Sequence, residues 1–159
     1  PDPAPAIAAM ASTGGLMQVL PGADNGMLAV LVHLEKMLDV KPNPIRRLAI
    51  LVGTPADHLR LSKEQARHFV QITTGALPTT IAYRYGYAAG LDALLVQSAS
   101  LGQTPTTDAI AHAANQVFPL QAADLMPALT GPALGQALKQ AEDRWIASGF
   151  TLTKADLID

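Results

Sequence analysis

The chain has 159 residues, 49% of them apolar and only 15% charged, with a formal net charge of −2. That length is one generous domain or two small ones, with enough apolar material for a sizeable core. The charge count is well under the roughly 25% usual in soluble domains, so the surface is either poor in charge or partly covered by other protein. A net charge this close to neutral excludes a strongly basic domain, and any grip on a polyanion must rest on a local patch. Cysteine is absent, which excludes disulfides, thiolate metal sites and a cysteine nucleophile. No membrane-spanning run and no charged-then-apolar leader can be read. The first residue is Pro1 rather than Met, so the sequence reads as a piece of something longer.

Taken in chain order, the apolar spacing predicts helices near residues 3–12, 24–40, 44–52, 55–60, 62–75, 78–84, 87–100, 105–116, 122–128, 132–148 and 154–158. Met27, Leu31, Leu34 and Leu38 make one stripe, and Ala66, Phe69, Val70 and Thr73 another. Tyr87, Leu91, Leu94 and Leu95 repeat the pattern, as do Leu134, Leu138, Ala141 and Trp145. Asp2-Pro3, Thr54-Pro55 and Thr104-Pro105 each pair a capping oxygen with a proline at the first helical position. Ser62 with Gln65 reads as a capping box, and Thr153 with Asp156 as a similar start. Gly53, Gly75, Gly102 and Gly149 mark stops. Strand-length alternation is missing. The expected fold is therefore all-α, an irregular array of short helices with a small helical terminal unit after a linker at Phe118-Pro119-Leu120.

The chemistry is thin. His33, His58, His68 and His112 show no metal-ligand spacing and no adjacent His-Asp pair, and His33 and Glu35 point to different helix faces. Asp2, Asp24, Asp57 and Asp156 are placed like caps or first-turn acids. Glu142-Asp143 beside Lys139 and Arg144 suits a solvated ion-pair face. Two-metal nucleotidyl transfer needs paired carboxylates, and no Asp-x-Asp occurs; nor does a Walker-type glycine loop or a Gly-x-Ser-x-Gly elbow. Catalytic residues, metal ligands and bound cofactors are accordingly expected to be none. Tyr83-Arg84-Tyr85 reads as core and rim, with base stacking as the alternative. Gly131-Pro132 opens a periodic helix with bare amides, and Gly135 one turn in carries no side chain to hold a ligand off. Gly135 reads equally as a place where two helices pack closely. Arg46-Arg47 forms a second basic cluster, and Arg60, Lys63, Arg67 and His68 a third, with Lys63 and Arg67 on one face. Such groups suit a solvated face or track a phosphate backbone without reading bases.

These residues carry a resemblance that runs over essentially the whole chain. Pro1 to Ile7 and Gly15-Leu16-Met17-Gln18-Val19-Leu20-Pro21, then Pro44-Ile45-Arg46-Arg47-Leu48-Ala49 and Leu59-Arg60-Leu61-Ser62, resemble the part after the catalytic head in bacterial class II CCA-adding tRNA nucleotidyltransferases and the related poly(A) polymerases. Phe118-Pro119-Leu120, Asp124-Leu125, Gly131 to Gly135, Glu142, Trp145 and Gly149-Phe150 resemble the terminal unit of that family, alphaproteobacterial type. The resemblance implies residues 1–40 as late neck and start of the body, 41–117 as helical body and 118–159 as helical tail. It also implies a cytoplasmic protein whose body and tail hold tRNA by its acceptor and T-arm backbone. The family's head supplies the carboxylates for Mg2+ and the template for ATP or CTP, and its motifs are absent here. The missing head is thus an expected partner, and a membrane is not.

The expected contacts with RNA backbone, placed from charge and helix position, are Arg46, Arg47, Lys63, Arg67, Gly131, Gly135, Lys139 and Arg144. Met10, Leu16, Met17 and Leu20 are expected to leave an apolar patch that faces the missing neck or pairs two copies of the chain. The competing expectation is a helical interaction or scaffold module with no RNA role.

Overall fold

The computed structural model describes residues 2–53, 59–126 and 128–158. Among these residues the fold is all-α: α1 (Ala4–Ser12), α2 (Gly15–Val19), α3 (Leu28–Met37), α4 (Pro44–Leu51), α5 (Lys63–Thr73), α6 (Pro78–Tyr85), α7 (Tyr87–Leu101), α8 (Asp108–Ala114), α9 (Ala122–Leu125), α10 (Gly131–Ala147) and α11 (Lys154–Ile158). The chain divides into two compact units, Pro1–Ala114 and Asn115–Asp159. No described helix is long and apolar enough to cross a membrane.

In the first unit, α7 is the central element, packed against α3, α4, α5, α6 and α8. It can approach α6 closely because Gly90 faces Ala82; a Cβ at Gly90 would overlap the Ala82 methyl and lie 2.9 Å from its Cα. The main core gathers Leu16, Leu28, Val32, Ile45, Phe69, Ile72 and Ile81, and it therefore runs continuously across residue 40. A smaller cluster of Leu31, Leu34, Leu95 and Ala99 locks α3 to α7. The second unit is built on α10, which packs against α9 and α11. Trp145 is 3% exposed and stacks edge-on to Phe150 at 5.0 Å, with Phe118 at 5.5 Å. Leu120, Ala141 and Leu157 complete that core.

The capping residues act as their chemistry requires. Asp2 Oδ1 accepts from the Ala4 amide, Ser62 and Gln65 form a reciprocal capping box, and Asp156 accepts from the Thr153 amide. Two helices start later than the apolar pattern predicts. Asp24 accepts from the Gly26 amide in a local turn, so α3 opens at Leu28 instead of near 24. Pro105 is buried ahead of α8, which opens at Asp108 instead of at 105. Short α2, absent from the prediction, sits between Gly14 with φ +75° and the turn after Leu20. Leu16 and Leu20, expected on an exposed patch, are core residues; α2 turns them inward, while Met10 and Met17 stay exposed. Val70, expected in a buried stripe, is exposed, and Ile72 takes its place. The predicted start at Thr54-Pro55, with Asp57, His58 and most of the 55–60 helix, lies outside the described residues.

Candidate functional site

The two basic clusters of the first unit have opposite fates. Asn43 caps α4, accepting from the Ile45 and Arg46 amides, and this fixes the direction in which Arg46 leaves the helix. Arg46 is 1% exposed. Its Nε and Nη2 donate to Glu35 Oε1 at 2.9 and 2.7 Å, Nη2 also donates to the Lys41 carbonyl at 2.7 Å, and Nη1 donates to Asp92 Oδ1. Arg47 donates through Nη2 and Nε to Glu35 Oε2 at 2.7 and 3.1 Å. Glu35 and Asp92 are themselves buried, and Asp92 Oδ2 accepts from Asn43 Nδ2 and pairs with His68 Nε2, each at 2.7 Å. One ionic cluster thus ties α3, α4, α5 and α7 together.

Its two arginines balance its two carboxylates, and among the described residues no buried side-chain nitrogen or oxygen lacks a partner. A cluster of this kind contributes little net stability as a whole, because desolvation offsets most of the attraction. It is intolerant of losing one member, since the remaining charge is left buried. The expectation that Arg46 offers its guanidinium to a phosphate is therefore corrected: every nitrogen of it is committed inside the protein. Arg47 is half-buried, and the same Glu35 holds it.

Arg60, Lys63 and Arg67 are exposed, and none of them has an ion pair among the described residues. Lys63 and Arg67 stand one turn apart on α5. Lys41 is likewise exposed without an ion pair among the described residues, but Arg60, Lys63 and Arg67 bring three such charges to one stretch. A cleft of about 460 Å³ beside it is lined by Glu64, Arg67, His68, Gln71 and Tyr85.

In the second unit, α10 begins at Gly131, whose φ is +60°, and no side chain caps it. Gly135 is exposed, and a Cβ there would meet nothing within 4 Å, so close helix packing does not account for that glycine. Lys139 donates to Asp143 at 2.6 Å on the solvated face expected for it. Arg144 donates to the Leu157 carbonyl at 2.9 Å and anchors α11. Lys154 donates to Asp124 at 2.6 Å. That bond, with the Gln121 amide, holds the Asp124 carboxyl below its ordinary pKa. The candidate residues are thus spread over two units, and α5 carries two exposed cations, Lys63 and Arg67, without ion pairs among the described residues, Arg67 lining a cleft.

Glu35, Asp92 and the role of His68 were missed in the sequence. The available signal was a lone acid inside an otherwise apolar helix, Asp92 on α7 and Glu35 within the α3 stripe; a buried carboxylate requires a cation, and Arg46 was the nearby candidate. Among the described residues, no group of three or more histidines, cysteines or acids is arranged to hold a metal ion. No family model, no curated protein and no solved structure matches the chain.

Proposed function

We propose that the chain is an RNA-holding helical module, the body and tail of a class II tRNA nucleotidyltransferase that adds CCA or poly(A) to RNA 3′ ends. The observation that carries this reading is the division of basic residues. Arg46 and Arg47 build the scaffold, and Arg60, Lys63 and Arg67 are left exposed and unpaired among the described residues along one stretch. Exposed cations without ion pairs among the described residues, on a protein of net charge −2, suit a shape-led contact with phosphates, as A-form RNA requires. The bare start of α10, with exposed Gly135, supports a second backbone contact at Gly131. In this reading the carboxylates for Mg2+, and the site for ATP or CTP, belong to a separate head domain. Titration with tRNA tests it: binding at low salt that weakens at moderate salt is expected, and no binding at low salt overturns it.

A second reading, a helical protein-interaction module, is favoured by one observation. Met10, Met17 and Val19, on the adjacent helices α1 and α2, are each exposed. A second copy covering them makes sedimentation concentration-dependent; a monomer at high concentration counts against it.

A further inference from the structure

We propose that the cleft between α5 and α6 takes one unpaired ribonucleotide of the bound RNA, its base stacked on Tyr85. The inference rests on the RNA-holding reading above and adds to it a site and a preference for unpaired RNA. Glu64, Arg67, His68 and Gln71 fall at i, i+3, i+4 and i+7 of α5, so they share one face, and Tyr85 closes the cleft from the end of α6. Gly86, with φ +91°, ends α6 there and turns the chain into α7. Tyr85 is 52% exposed. An aromatic ring left open to water beside polar groups is a stacking platform, and every base has a π face to offer it.

The polar groups divide the work. Arg67, without an ion pair among the described residues, is available to a phosphate. Gln71 carries both a donor and an acceptor suited to a base edge. Glu64 repels phosphate, which leaves its end of the cleft to base or sugar. His68 is set by the buried cluster. Asp92, paired with Arg46 and bonded to Asn43, offers only acceptors, so His68 Nε2 must be the donor across their 2.7 Å contact. In the neutral ring Nδ1 is then the acceptor, and a ribose 2′-hydroxyl can donate to it. That hydroxyl distinguishes RNA from DNA. A paired base in A-form RNA is hidden from such a cleft, whereas an unpaired one can enter it.

Anisotropy of the full chain with single-stranded oligoadenylate, the DNA strand of the same sequence and a blunt RNA duplex tests this. The RNA strand is expected to bind more tightly than the DNA strand. Tyr85→Ala is expected to weaken the RNA strand roughly tenfold, in the range of one lost base–aromatic stack, while Tyr85→Phe stays within about twofold. Duplex affinity is expected to be the same in all three proteins, and circular dichroism melts of both variants to match the parent, since the ring is half exposed. An unchanged affinity of Tyr85→Ala for the RNA strand overturns the cleft. Binding of duplex without single strand also overturns it and leaves the RNA-holding reading standing; binding of neither overturns both.

Discussion

Two basic clusters of similar appearance, Arg46-Arg47 on α4 and Lys63 with Arg67 on α5, sit on neighbouring helices of one unit and do opposite things. The α4 pair faces Glu35 and Asp92, and its charge is consumed inside the fold. The α5 pair has no such acids opposite it among the described residues, and its charge stays available. Basic residues in a sequence therefore say little about partners until the acids that face them are known. An acid embedded in an apolar stripe is the sign that a nearby arginine is structural.

The largest expected effect breaks the inner cluster. Arg46→Ala leaves Glu35 and Asp92 buried without their main cation, and a loss of about 3–5 kcal/mol is expected. Loss of amide-exchange protection across α3, α4 and α7, with α10 unaffected, is the reading that checks it. Gly90→Ala presses a methyl into Ala82 where α6 crosses α7, the helix that carries Asp92, and is expected to cost about 1–3 kcal/mol in denaturant unfolding. Asn43→Ala removes the α4 cap and one bond to Asp92, with an expected loss of about 1–2 kcal/mol measured the same way. Lys63→Gln and Arg67→Gln are expected to change stability by less than about 0.5 kcal/mol, because neither side chain has a partner to lose among the described residues. The smallest effect concerns Asp124, whose lowered pKa stabilises the second unit above the unfolded value and is lost as pH falls below 3.8. The Trp145 fluorescence of Lys154→Gln should consequently show less acid sensitivity there than the parent, by a small margin because the pair is solvated.

Much of the fold was legible because helix-forming chemistry is local. The Ser62–Gln65 box, the Thr153–Asp156 start and the stripe ending at Trp145 needed only near neighbours in the chain. Short α2 was not legible, since a helix of five residues between turns carries no period. The late starts of α3 and α8 were hidden for a related reason, a side chain or a buried proline competing with the helix just before it. The candidate site was legible in part: the α5 cations were visible, whereas the inward turn of Arg46 depended on Asp92, which lies 46 positions away. Tyr85 is legible as a stacking alternative, but its place beside Arg67 and Gln71 needs the packing of α6 against α5.

The contrast between the two clusters meets its most direct test in the salt dependence of tRNA binding. With Lys63 and Arg67 both replaced by Gln, the slope of log affinity against log salt is expected to fall by roughly one unit for each phosphate contact removed, relative to the parent. A slope identical to that of the parent, or a parent that binds no tRNA even at low salt, contradicts the assignment of α5 as the surface that holds RNA.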